Sequence, residues 1–100
     1  MEIIWSPLAI QKISDFAELI ALDKPMAVQK WAEGIFDSVQ RTSDLPYSGK
    51  QVPEIQRDEI REVFYGNYRI IYKISSATIY VLTVRHRRQL LDDADLGLGE

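Results

Sequence analysis

The chain has 100 residues, 46% hydrophobic and 27% charged, with 12 Lys and Arg against 15 Asp and Glu for a formal charge of -3. That length holds one domain with a modest core, and the acidic balance differs from the positive surplus usual in nucleic-acid binders. The absence of cysteine excludes disulfides, thiolate nucleophiles and cysteine metal sites. No apolar run approaches the ~20 residues of a membrane span, and no basic-then-apolar leader opens the chain, so a small cytoplasmic protein with no membrane partner is expected.

Residues 2–6 hold Ile3, Ile4 and Trp5, a short β-forming run. Ser6 followed by Pro7 is a helix start: a hydroxyl cap, then a first-turn proline whose missing N–H costs nothing. Ala9, Ile13, Phe16, Ala17 and Ile20 recur at helical spacing, with Gln11, Lys12, Asp15 and Glu18 between them. Asp23-Lys24-Pro25 interrupts the pattern, and Pro25 is expected to open a second helix capped by Asp23 or Lys24. Val28, Trp31, Ile35 and Val39 then form its apolar stripe. Each helix has one apolar and one charged side, so the two read as an antiparallel hairpin laid on an apolar surface.

Residues 41–50 read as a loop and residues 52–55 as a short extended piece. Three β-forming runs follow, at 59–65, 68–74 and 78–85. Gly66-Asn67 joins the first two as a two-residue hairpin turn, and Ser75-Ser76-Ala77 joins the last two. Alternation sets Arg61, Val63 and Tyr65 opposite Glu62 and Phe64, and Tyr68, Ile70 and Tyr72 opposite Arg69, Ile71 and Lys73. In the last strand it sets Tyr80, Leu82, Val84 and His86 opposite Ile79, Val81, Thr83 and Arg85. The expected class is α+β in the order β-α-α-β-β-β, a helical hairpin packed on a mainly antiparallel sheet. One domain spans residues 1–91, and residues 92–100, with four acidic and no basic side chains, are expected as a flexible acidic tail.

The net charge conceals a division. Residues 1–46 carry four basic and seven acidic side chains, whereas residues 47–91 carry eight basic and four acidic. A partner responds to the local field, so the basic segment says more than the total.

Gly34, Gly49, Gly66, Gly97 and Gly99 are isolated and form no phosphate loop. A single histidine, His86, cannot build a multi-histidine metal site, and no serine sits in a strained nucleophile turn. No metal or cofactor is therefore expected. What remains is a set of cations on neighbouring strands: Arg61, Arg69, Lys73, Arg85 and His86. A strand-held arginine presents a rigid fork suited to phosphate or carboxylate. His86 is the one side chain of ordinarily near-neutral pKa available as acid or base. The plain alternative pairs Arg61 with a local carboxylate and leaves His86 ending a strand without a chemical role. Trp5, Phe16, Trp31, Phe64, Tyr68 and Tyr72 are expected to pack rather than stack on bases.

Taken together, these segments carry a resemblance. Trp5-Ser6-Pro7 leads into the helical hairpin, followed by Leu45-Pro46 and Gly49-Lys50-Gln51-Val52-Pro53-Glu54. Then come Arg61-Glu62-Val63, Gly66-Asn67-Tyr68-Arg69-Ile70-Ile71-Tyr72, and a last strand ending Val84-Arg85-His86-Arg87-Arg88. The combination resembles the RelE/ParE superfamily of type II toxin–antitoxin toxins, and within it the ParE-like branch, over about residues 3–90. The resemblance implies a growth-arresting toxin and a cognate antitoxin that wraps and neutralises it, at the helical hairpin and the sheet edge.

It also implies two mechanisms. ParE-like members inhibit DNA gyrase without nuclease chemistry, and Arg61, Arg69, Arg85, Arg87 and Arg88 would then form the target-binding face. RelE-like members cut messenger RNA on the ribosome without a metal. Arg69 and Arg85 would then stabilise the transition state, with His86 as acid or base. Only Lys50 and Arg57 precede the hairpin where that branch has a dense lysine cluster, and no tyrosine follows Tyr80. These departures favour gyrase inhibition, or another target, over RNA cleavage. A relative that only binds an antitoxin-like partner is the third reading.

Overall fold

The computed structural model describes residues 1–87. Arg88 and the acidic segment 92–100 lie outside the described residues. In chain order the elements are β1 (Glu2–Trp5), α1 (Pro7–Asp23), α2 (Val28–Gln40), β2 (Lys50–Gln51), β3 (Ile60–Tyr65), β4 (Tyr68–Ser75) and β5 (Thr78–His86). Ser6 caps α1 as expected: its Oγ accepts from the Ala9 N–H at 3.0 Å and donates to the Leu82 carbonyl at 2.9 Å. The same hydroxyl therefore starts the helix and fastens it to β5.

The second helix begins later than the proline suggests. Lys24 takes φ -136° and ψ 75°, outside the helical region, as the residue before a proline tends to. Pro25–Ala27 forms one separate 3₁₀ turn, and α2 opens at Val28 with no side-chain cap. Asp23 cannot cap it because Asp23 belongs to the last turn of α1.

The sheet has five strands in the order β1-β5-β4-β3-β2, all antiparallel neighbours except the parallel pair β1–β5. The additional strand, β2, is two residues long and begins at the last residue of the expected loop. The expected extended piece at 52–55 is instead a turn, closed by the Ile55 and Gln56 N–H groups on the Val52 carbonyl at 3.0 and 2.8 Å. Gly66 takes φ 56° in the β3–β4 turn, a left-handed value that glycine adopts without steric cost.

Strict alternation fails once, in β5. Ile71 faces Thr83 but Tyr72 faces Val81, so Leu82 is an extra residue without a partner in β4. This is a β-bulge, which switches the side-chain phase of the strand. Val81 and Val84, three residues apart, consequently both pack on the helices.

The main core joins Ala9, Ile13, Trp31, Ile35 and Val39 of the helices to Ile70, Val81 and Val84 of the sheet. Ile35, Val39, Ile70, Val81 and Val84 are fully buried, each contributing ~1.5–3 kcal/mol of apolar transfer. Tyr68 sits edge-on to Phe16 and Trp31 at 5.0 and 5.2 Å between ring centres, so these aromatics pack as expected. On the opposite face of the sheet a smaller cluster joins Val52, Ile60 and Ile71, with Ile55 and the bulged Leu82 against it. The loop after β2 is thereby folded over the face away from the helices.

Candidate functional site

Hairpin register sets the outer face. The two-residue turn at Gly66-Asn67 pairs Tyr65 with Tyr68 and hence Phe64 with Arg69, and across β4 Arg69 meets Arg85. Phe64, Arg69 and Arg85 thus form one row on the face away from the helices. Two arginines directly opposite each other repel, so the row needs negative charge beside it. Glu62 and Glu54 supply it.

Arg69 donates from Nε to Glu62 Oε1 at 2.7 Å, from Nη1 to Glu54 Oε2 at 2.8 Å and from Nη2 to Glu54 Oε1 at 2.9 Å. Its side chain is 6% exposed, that of Glu62 4% and that of Glu54 20%. The Glu54 hydrogen bonds, with the smaller Glu62 contribution, outweigh desolvation and hold the guanidinium pKa above its ordinary value. A buried guanidinium with both carboxylates in place is satisfied; removing any one partner would leave a buried charge exposed to a low dielectric.

Around this triad lies a cleft of about 450 Å³ lined by Pro53, Glu54, Glu62, Phe64, Arg69 and Arg87. The exposed Arg87 guanidinium lies over the Phe64 ring at 4.2 Å, and the Lys50 ammonium approaches that ring at 5.8 Å. Arg87 is anchored by its backbone N–H on the Asn67 carbonyl at 2.6 Å. Phe64 departs from the other aromatics: it carries cations rather than packing into the main core.

The remaining candidates stand elsewhere. Arg61 shares the helix-side face with Tyr72, its partner in β4, and so stands behind the sheet from Arg69. It donates to the Asp58 carbonyl at 2.9 Å, to Asp58 Oδ1 at 2.5 Å and to the Gly49 carbonyl at 3.1 Å, and its guanidinium covers the Tyr47 ring at 5.1 Å. These bonds clamp two loops together. His86 pairs with Tyr68 and meets its ring edge-on at 5.7 Å, on the helix side. The five cations expected as one face are therefore divided: Arg69, Arg85 and Arg87 in front, Arg61 behind, and Arg88 outside the described residues. Lys73, opposite Ile60 and Tyr80, is also in front.

Tyr72 supports the site from behind. Its hydroxyl donates to the Pro46 carbonyl at 2.6 Å and accepts the Gly49 N–H at 3.2 Å. Burial pushes the phenol pKa up, opposed by the Gly49 N–H and by Arg61. Because the folded state favours the neutral phenol, its contribution is fully present below pH about 10 and is lost as pH rises beyond that. Absorbance titration at 295 nm should show a late phase belonging to Tyr72, accompanied by unfolding. Tyr72→Phe should remove that phase and cost about 1 kcal/mol in denaturant titration. An unchanged titration curve would refute the assignment.

Glu54, Glu62, Lys50 and Phe64 did not stand out as candidates in the sequence. The signal for Glu62 is present: the Gly66-Asn67 turn makes it a diagonal neighbour of Arg69 on one face. Glu54 has no such signal, because its place depends on how a loop folds back. Among the described residues no group of His, Asp and Glu is arranged to hold a metal ion, and no helix is long and apolar enough to cross a membrane.

No curated protein sequence matches the chain. Among solved structures, the chromosomal ParDE toxin–antitoxin system from P. aeruginosa superposes with a TM-score of 0.72 at 13% identity, covering 86% of this chain and 95% of that one. The toxin–antitoxin complex RelBE2 from Mycobacterium tuberculosis superposes with a TM-score of 0.55 at 21% identity, covering 86% and 96%. At such identities the likeness is one of fold, two helices on a five-stranded mixed sheet. The family model for the ParE toxin of the type II toxin–antitoxin system parDE matches residues 3–91, which takes in both helices and all of the sheet but Glu2, and the chain therefore belongs to the ParE toxin family.

Proposed function

We propose that this toxin arrests growth by binding DNA gyrase, without cutting a phosphodiester, and that a cognate antitoxin neutralises it. One observation carries the choice of mechanism: the residues that a metal-free nuclease would use are not gathered. Arg69 and Arg85 face away from the helices, whereas His86 lies against Tyr68 on the helix side. General acid–base catalysis needs the base within hydrogen-bond reach of the proton it takes, and here the sheet stands between them.

The proposed target surface is the front of the sheet, with Arg87 as its exposed contact and Lys50 beside it. Arg69 and Arg85 lie in the row behind that contact, and Arg61 acts as a loop clamp. The antitoxin surface is proposed on the helical hairpin, where Leu19, Leu22 and Met26 are 61%, 85% and 94% exposed. Leu19 and Leu22 lie three residues apart on α1 and Met26 sits in the 3₁₀ turn that follows, an exposed apolar patch of the kind an amphipathic partner segment covers. Both solved structures cited above come from toxin–antitoxin systems, which supports an antitoxin partner. Gyrase acts on the chromosome, so the proposed site of action is the cytoplasm.

The test pairs a gyrase supercoiling assay with mapping of messenger RNA ends after induction. Inhibited supercoiling, DNA-damage signalling and intact messages are expected, with Arg87→Glu weakening inhibition about tenfold, equivalent to 1.4 kcal/mol. Codon-phased message cuts with gyrase untouched would overturn the reading in favour of a nuclease. An absence of growth arrest would leave only the antitoxin-binding role.

A further inference from the structure

Among the described residues, the two carboxylates on Arg69 are not equivalent. Glu62 is held in the middle of β3, is nearly inaccessible and takes only the Nε bond. Glu54 comes from a loop, is 20% exposed and takes both Nη groups, the fork arrangement in which arginine binds carboxylate or phosphate. We propose that the Arg69 guanidinium is a masked oxyanion site whose resident internal ligand is Glu54, and that an external carboxylate or phosphate enters by displacing it.

The loop is built for exchange. Glu54 lies in the turn closed on the Val52 carbonyl, and that turn is followed by Gln56 at φ 57°, a left-handed value in a residue with a Cβ. Such a conformation is disfavoured by the Cβ and persists only where neighbouring contacts enforce it. On one side those contacts are Val52 and Ile55 in the small outer core; on the other is the grip of Glu54 on Arg69. Releasing Glu54 removes one of these anchors and leaves the turn held by the Val52 carbonyl and the small outer core.

Charge favours replacement by another anion. Among the described residues, the cleft lining with Glu54 in place holds Glu54 and Glu62 against Arg69 and Arg87. With Glu54 withdrawn, the described lining of this cleft of about 450 Å³ keeps Glu62, Arg69 and Arg87, two cations to one carboxylate around space large enough for a phosphate. The inference is independent of which macromolecule the toxin arrests.

The test uses the full chain, shown folded by circular dichroism, with inorganic phosphate and acetate as probes at ionic strength matched with chloride. Binding is read from the side-chain Nε–H resonance of Arg69. In Glu54→Gln, phosphate or acetate should move that resonance with an apparent affinity at least about tenfold tighter than in the wild type. A response to phosphate alone points to a phosphorylated ligand, to acetate alone a protein carboxylate, and to both a general oxyanion site; each supports the proposal. A folded Glu54→Gln protein whose Arg69 resonance ignores both anions overturns it. Should that variant not fold, amide exchange at Ile55 and Gln56 in the wild type decides. Phosphate should accelerate it several-fold over matched chloride, and equal rates refute the displacement.

Discussion

Arg69→Met is expected to destabilise the protein by about 3–5 kcal/mol, the usual result of removing one member of a buried ion network. For a domain of this size that is a fall in Tm of roughly 12 °C or more. The cause is the two carboxylates left behind, Glu62 above all, since its side chain is 4% exposed and loses its partner at 2.7 Å. Adding Glu62→Leu to Arg69→Met should recover a large part of the loss, because an apolar pair of similar volume avoids the desolvation of both charges. Calorimetric melting of the three proteins checks this. A loss below about 1 kcal/mol would place the network among exposed ion pairs of little consequence. For growth assays, disappearance of toxicity in Arg69→Met means little unless folded protein is measured alongside it. Arg87→Glu is the cleaner probe of target contact, since Arg87 is exposed and stacks on Phe64 instead of filling a buried network.

Gly49→Ala is expected to cost about 3 kcal/mol, combining overpacking with a lost buried hydrogen bond. Glycine is required here by close approach. Its φ and ψ of -70° and 161° suit any residue, but an added Cβ would lie 2.4 Å from the Tyr72 hydroxyl and 2.8 Å from the Glu62 carbonyl. Neither neighbour yields easily. The hydroxyl is held by Pro46 and Gly49, and the carbonyl belongs to the β3 backbone. Substitution should therefore push β2 off the sheet and loosen Arg61, which donates to the Gly49 carbonyl. Amide exchange should quicken at Lys50 and Gln51 before the central strands, and a stability within 0.5 kcal/mol of wild type, the ordinary range for surface changes, would refute the account.

Several features of the site were readable in advance for identifiable reasons. The Ser6-Pro7 cap is local chemistry. The hairpin at Gly66-Asn67 has only two residues, so it dictates register, and register dictates that Phe64, Arg69 and Glu62 share a face. The final strand misled because its alternation is broken by Leu82, and nothing in an apolar run from Tyr80 to Val84 marks where the extra residue falls. The apparent basic face failed in a different way. Arg61 and Arg69 both lie in strands, but alternation already assigns them to opposite sides once the two strands are paired through their turn.

The order of the longer elements, the two amphipathic helices and the hairpin register follow from this sequence alone, because each depends on neighbours a few residues apart, and its composition excludes thiol chemistry. Tertiary structure decided the rest. It placed β1 beside β5 at the far edge, folded the 52–59 loop over the outer face and brought Glu54 to Arg69 across 15 positions of chain. Those contacts depend on where a loop can bury Val52 and Ile55 and on which carboxylate can then reach a buried guanidinium. No periodicity or motif records either condition, and so a run of arginines that reads as an open cationic surface is, at its centre, a neutralised and closed one.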